Sequence, residues 1–267
     1  MRPAARWPRA GDTPGQSRRT ALGSLLAAGA AFAVPWGPAS AAPAGSGNQA
    51  SGAPGTPAPN TTPAATSGRP ARRLLVLGDS LSAEYGLARD SGWVALLQQR
   101  LARERLAAEV VNASISGETT AGGRSNLPRL LRQHQPTHVV IELGGNDALR
   151  GLPLDMSRDN LRAMVRAARG AGARVLLVGM QVPPNYGARY AQDFQALFAQ
   201  VAREEQAALV PFMLAGVADT PDADRNFQSD RIHPLASAHP RILETIWRVL
   251  GPWLKAPAER PAAPTKG

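Results

Sequence analysis

Five short aliphatic runs, separated by longer stretches of helical period, restrict this chain more than any other feature. The runs are Leu74–Leu77, Ala108–Asn112, Val139–Leu143, Val175–Val178 and Leu209–Phe212. The first has four aliphatic residues in succession and so no polar face, the mark of a strand buried on both sides in a parallel sheet. Between the runs lie Trp93–Glu104, a segment around Leu127–Gln133, Leu161–Arg169 and Tyr190–Ala208. Leu235–Leu254 ends the series as a helix starting just after Pro234, with His233 near its N-cap. Regular β-α alternation implies a five-stranded parallel sheet with helices on both faces, in the strand order 2-1-3-4-5.

The alternation covers residues 72–254, which is 183 of 267 residues and enough for one domain with a sizeable core. The flanks read differently. Arg18 and Arg19 precede an alanine- and leucine-rich run to Val34, followed by Ala39-Ser40-Ala41. Charge, a short apolar run and small residues make residues 1–41 a secretory signal, by either the general or the twin-arginine route. The run is too short and too alanine-rich for a membrane span. Residues 42–71 are Pro/Ala/Gly/Ser linker and residues 255–267 a similar tail, both disordered by composition. Absence of cysteine excludes disulfides, thiolate metal sites and a cysteine nucleophile. The net charge of +10 is carried largely by the flanks: residues 1–71 hold six arginines against one aspartate, residues 255–267 contribute +2, and the domain keeps +3. Without a dense basic stripe, a nucleic-acid partner is not expected.

In a doubly wound sheet of this flavodoxin-like, three-layer α/β/α kind, ligands bind at the carboxyl ends of the strands. Three polar loops fall there: Asp79-Ser80 after the first strand, Ser114 to Thr119 after the second, and Gly144-Gly145-Asn146-Asp147 after the third. A Gly-Asp-Ser triplet also suits a helix-capping turn, and Gly-Gly-Asn-Asp an ordinary turn. Convergence of the three on one edge favours chemistry. Serine needs a base to become a nucleophile. His233 has Asp230 three residues before it, placed to fix its tautomer, and is followed by Pro234. His134, His138 and His239 have no such acid and read as surface or capping residues. The Gly117 N–H and the Asn146 amide are candidate donors to an oxyanion. Asp79 and Asp147 read as loop-shaping acids. No metal-ligand spacing occurs, and serine-histidine chemistry requires no cofactor.

Taken together, these blocks resemble the SGNH (GDSL) hydrolases: Ser80 in Gly-Asp-Ser-Leu, Gly117, Asn146 in Gly-Gly-Asn-Asp, and Asp230-x-x-His233. The stretches VVNASISGETT, LRQHQP, ELGGNDALRG and PPNYGARY are similar to the bacterial periplasmic thioesterase/lysophospholipase branch of that family. The resemblance implies the SGNH hydrolase fold, Ser80 as nucleophile, His233 as base, Asp230 orienting it, and an oxyanion hole from the Ser80 and Gly117 N–H groups and Asn146. It implies a small acyl ester or thioester as substrate. Glu84 departs from the pattern, standing where such relatives usually have glycine, and a carboxylate there would alter substrate preference or local electrostatics. The expectation is a periplasmic or secreted, monomeric serine esterase whose acceptor cavity is lined by Pro183, Pro184 and Tyr186. The competing expectations are a carbohydrate O-deacetylase on the same fold and a catalytically silent lipid- or glycan-binding module.

Overall fold

The computed structural model describes residues 72–256, so the expected signal segment, the linker and nearly all of the tail lie outside the described residues. Five strands form one parallel sheet: β1 Arg72–Gly78, β2 Ala108–Asn112, β3 His138–Glu142, β4 Arg174–Val178 and β5 Ala208–Val210. Their spatial order is β2-β1-β3-β4-β5, as the alternation predicts. In register, Leu74 pairs with Val110 on one side and His138 on the other. The aliphatic run Leu74–Leu77 is at most 1% exposed, and all five residues of β3 are buried.

Six α-helices among the described residues flank the strands: α1 Trp93–Arg103, α2 Thr120–His134, α3 Gly145–Leu149, α4 Leu154–Gly170, α5 Ala188–Glu204 and α6 His239–Lys255. α1 packs on α6, while α2 packs on α4 and α4 on α5, the two groups covering the two faces of the sheet. Apolar residues at helical spacing, such as Phe194, Leu197, Phe198 and Val201 on α5, point each helix inward. Burial of each large aliphatic or aromatic side chain contributes roughly 1.5–3 kcal/mol. The rigid platform so formed carries the loops at its carboxyl edge. No helix among the described residues is long and apolar enough to cross a membrane.

Two elements differ from expectation. Gly145–Leu149, read as a loop, is a short helix beginning after Gly144, whose φ of 120° needs glycine. α6 begins at His239 rather than directly after Pro234, and it is Pro240 that occupies its first turn. Pro234 instead pairs with Phe227 in an antiparallel bridge. His233 therefore sits in an irregular loop held by that bridge, not at a helix N-cap.

Candidate active site

β1 ends at Gly78, and the chain turns at once. The N–H groups of Ser82 and Ala83 donate to the Asp79 carbonyl, and the N–H of Leu81 donates to Asp79 Oδ1 at 3.0 Å. This turn presents Ser80 at the carboxyl edge of the central strand. On the far side of the cleft, the loop from Phe227 to Pro234 is cross-tied. Gln228 N–H donates to the His233 carbonyl, and its side-chain amide donates to the carbonyls of Tyr85 and Pro234. Arg231 takes a left-handed φ of 58°, which folds Asp230 back toward His233.

The result is a continuous line of hydrogen bonds. Ser80 Oγ lies 2.8 Å from His233 Nε2, and His233 Nδ1 lies 2.7 Å from Asp230 Oδ2. Asp230 Oδ1 accepts the backbone N–H groups of Ile232 and His233 at 2.9 and 3.0 Å. Partial burial works to raise the Asp230 carboxyl, but these N–H donors and the imidazole outweigh it and hold the group below its ordinary value. Asp230 is therefore ionised at neutral pH and fixes Nδ1 as the protonated nitrogen, leaving Nε2 facing serine. The His233 ring also packs against Tyr85, with centroids 4.4 Å apart.

Two further loops close the site. Gly117 has φ of 80°, and its carbonyl accepts from Arg150 at 2.9 Å. Asn146, on α3, donates from Nδ2 to Asp79 Oδ2 at 3.1 Å and to the Glu118 carbonyl at 3.0 Å. Asp147 shapes these loops as expected. Buried at 1% exposure, it accepts from the Thr120 N–H, the Thr120 hydroxyl and the Ser157 hydroxyl, tying α3 to α2 and α4. Asp79 is 2% exposed, and burial pushes its carboxyl up to about 6 against the pull of the Leu81 N–H. Beside it lies Glu142, equally buried, which sequence reasoning passed over. The available signal was a lone carboxylate inside the apolar run Val139–Leu143.

Ser80, Gly117, Asn146 and His233 all border one cavity of about 690 Å³, within the roughly 300–1,000 Å³ usual for small-molecule sites. Its wall is mainly apolar, with Leu149, Met180, Val182, Pro183, Phe212 and Ile232. Of the residues expected to line it after β4, Pro183 does. Tyr186 does not: its ring stacks near Tyr190 instead, 6.2 Å between centroids. The side chain of Pro184 lies outside the described residues.

Glu84 lies in the turn that follows Ser80, and its charge acts locally on His239. It adopts φ of 60°, which explains why glycine suits that place, and its carboxylate turns away from the cavity. It accepts the N–H groups of Asp90 and Gly92 at 3.1 and 2.7 Å, pinning the loop that leads into α1. Two histidines read as surface or capping residues are buried, and one of them does cap a helix. His239 accepts the Trp93 N–H on Nδ1 at 3.0 Å, capping the start of α1 from across the fold. His138 lies at the opposite edge of the sheet from Ser80, in edge contact with Trp253.

A parallel sheet that presents a serine, a histidine and an aspartate in bonding order at its carboxyl edge has the architecture of serine-dependent acyl hydrolases. The family is defined by comparison: residues 76–241 match the GDSL-like Lipase/Acylhydrolase family, and the chain belongs to it as a carboxylic ester hydrolase. It is 52% identical over 184 residues to Esterase TesA of Pseudomonas aeruginosa, covering 69% of this chain and 90% of that protein. It is 41% identical over 179 residues to the Escherichia coli protein named Thioesterase 1/protease 1/lysophospholipase L1, covering 67% and 83%. Among solved structures, the psychrotrophic esterase EstA from Pseudoalteromonas, inhibited by monoethylphosphonate, aligns with a TM-score of 0.65 at 40% identity, covering 69% of this chain and all of that one.

Proposed function

We propose that this chain is an exported serine esterase that hydrolyses acyl esters and thioesters through an acyl-enzyme on Ser80. The observation that carries the proposal is the 2.8 Å contact of Ser80 Oγ with His233 Nε2, backed by the 2.7 Å contact of Nδ1 with Asp230. In the first half-reaction Ser80 Oγ attacks the acyl carbonyl while its proton passes to His233 Nε2. Asp230 holds the imidazolium so formed. The negative charge on the carbonyl oxygen is taken by the N–H groups of Ser80 and Gly117 and by the Asn146 amide, each such donor worth roughly 2.7–4 kcal/mol in the transition state. The Asn146 hydrogens rest on Asp79 and the Glu118 carbonyl, so the developing oxyanion competes for one of them. The imidazolium returns the proton to the leaving alcohol or thiol, which departs as the C–O or C–S bond breaks. Water, deprotonated by His233, then releases the acid and restores Ser80.

The apolar wall favours an acyl chain over a sugar as the group held in the cavity. The names of the relatives, esterase and thioesterase/lysophospholipase, support the same substrate class. A phosphonate inhibits the Pseudoalteromonas relative, and phosphonates esterify activated serine, so adduct formation on Ser80 is a second probe. The segment from Arg18 to Ala41 supports export. The test is hydrolysis of p-nitrophenyl acetate, butyrate, octanoate and palmitate by the full chain, with Ser80→Ala as control. Serine-dependent turnover rising beyond acetate supports the acyl esterase. Turnover confined to acetate would assign a deacetylase instead. Binding of an acyl ligand without turnover would assign a silent module.

A further inference from the structure

Two carboxyl groups lie buried directly behind the nucleophile turn. Asp79 and Glu142 are each 2% exposed, and the Asp79 N–H lies 3.4 Å from Glu142 Oε2. No arginine or lysine among the described residues bonds to either. Two adjacent carboxylates in so dry a place cannot both stay ionised, and a shared proton turns the repulsion into a hydrogen bond. The donors around them indicate which one carries it. Both oxygens of Asp79 accept, from the Leu81 N–H at 3.0 Å and the Asn146 amide at 3.1 Å, as suits a carboxylate. Glu142 accepts on Oε2 alone, from the Ser82 hydroxyl at 2.7 Å and the Asp79 N–H at 3.4 Å, which leaves Oε1 for a hydroxyl. Trp93 Nε1 donates to Ser82 Oγ at 3.1 Å, so a chain of bonds runs from a fully buried tryptophan through Glu142 and Asp79 to Asn146. Glycine keeps the space clear: a Cβ on Gly78 would lie 2.9 Å from Glu142 Oε2 and 2.7 Å from Ser82 Oγ.

We propose that Glu142 is a positioning residue of the active site: protonated at neutral pH, it donates to Asp79 and keeps Asp79 a single carboxylate that orients the Asn146 amide and faces His233. The proposal rests on the esterase reading for its kinetic consequence, though not for the proton itself. Burial raises both groups, Asp79 to about 6 and Glu142 well above its ordinary value, in keeping with that assignment. The charged groups around the site are Asp230 and Asp79 toward His233, Arg231 and Asp219 on the cavity wall, and Arg150 at Gly117. None of those last three bonds to the pair.

The sign of the effect follows from the donor. Without a donor in place of Glu142, Asp79 binds its proton at higher pH, and activity is lost at higher pH on the acid side. Glutamine mimics the protonated acid, since its NH₂ donates to Asp79 and its carbonyl accepts from Ser82. The experiment compares the full-length wild type, Glu142→Gln, Glu142→Leu and Ser80→Ala. It follows kcat and KM for p-nitrophenyl butyrate from about pH 5 to 8, and the infrared carbonyl band of a protonated carboxyl group at neutral pH. Glu142→Gln is expected to stay within about three-fold of wild type with its acid limb unmoved, and to lose the infrared band. Glu142→Leu is expected to lose about ten-fold in kcat, with KM little changed and the acid limb moved to higher pH. An unchanged band in Glu142→Gln, an acid limb moved as far by glutamine as by leucine, or an unaltered limb and kcat in Glu142→Leu would each overturn the proposal. If Glu142→Leu fails to fold, the band and pH profile of Glu142→Gln decide. Wild-type turnover by Ser80→Ala would sink the esterase reading alone, because the infrared band still reports the pair.

Discussion

The two edges of the sheet are furnished with the same residue types and put them to different use. At the carboxyl edge His233 has a carboxylate on one ring nitrogen and a serine on the other, and it borders an open cavity. At the amino edge His138 is 7% exposed, lies edge-on to Trp253, and has Arg72 and Arg174 for electrostatic neighbours. Burial and those two cations push its ring down to about 4, so it stays neutral. The arginines have their own task there: Arg72 donates to the Leu254 carbonyl and Arg174 to that of Trp253, both at 2.8 Å. They satisfy carbonyls at the end of α6 where the helix dipole favours cations. What a histidine can do is decided by the partner on each ring nitrogen. One edge holds the helices; the other is left free for chemistry.

Four measurements would break or sharpen that contrast. The largest effect belongs to Ser80→Ala, expected to lower kcat on p-nitrophenyl esters by about 10⁴-fold or more while leaving the unfolding midpoint almost unmoved. Equal losses of activity and stability would mean that the serine is part of the scaffold. Asp230→Asn comes next, with kcat expected to fall about 10²–10⁴-fold, because the amide no longer fixes the imidazole tautomer. A fall below three-fold would remove Asp230 from the mechanism.

The third and fourth concern the amino edge and should leave kcat alone. The folded value of His138 lies below its ordinary 6.5, so the unfolded chain takes up the proton first. Its contribution is full above about pH 6.5 and is lost as pH falls toward 4, amounting to about 3 kcal/mol. Urea denaturation of His138→Phe should accordingly show a shallower loss between those pH values than wild type, and parallel curves would refute it. The smallest effect is Arg174→Met, which removes the bonds to the Trp253 and Ala256 carbonyls and the stacking on the Trp253 ring. It should cost about 1 kcal/mol in the same measurement. A drop in esterase rate from either variant would show that the two edges are coupled.

Much of this was legible in the sequence, and the exceptions have physical causes. The strands declared themselves because a doubly buried strand has no polar face to obscure it, as in Leu74–Leu77. The residues that meet in the cleft were legible through the pairing of an acid with His233 and through the family pattern around Ser80, Gly117 and Asn146. α3 escaped because Gly144, Gly145, Asn146 and Asp147 are all turn-formers, and the bonds that tie it down, from Asp147 to Thr120 and Ser157 and from Asn146 to Asp79, are tertiary. The start of α6 was misplaced because the rule that proline opens helices was applied to Pro234 when Pro240 satisfies it. Glu142 was overlooked because β-strand patterning registers hydrophobicity, whereas the role of a buried acid depends on neighbours brought in from Asp79 and Ser82. Glu84 does act electrostatically, on His239, while its second role of pinning the loop before α1 depends on its backbone angle and its bonds to Asp90 and Gly92.

The serine and the histidine that meet at 2.8 Å are 153 positions apart in sequence. During synthesis the first is made early in the domain and the second almost at its end, after all five strands. A partly made chain thus carries Ser80 without His233 beside it, and contact between the two waits on non-local folding. On the proposed mechanism an enzyme assembled in this order is latent while it is being made, and the onset of hydrolysis in a refolding experiment would time the closure of the last loop over the finished sheet.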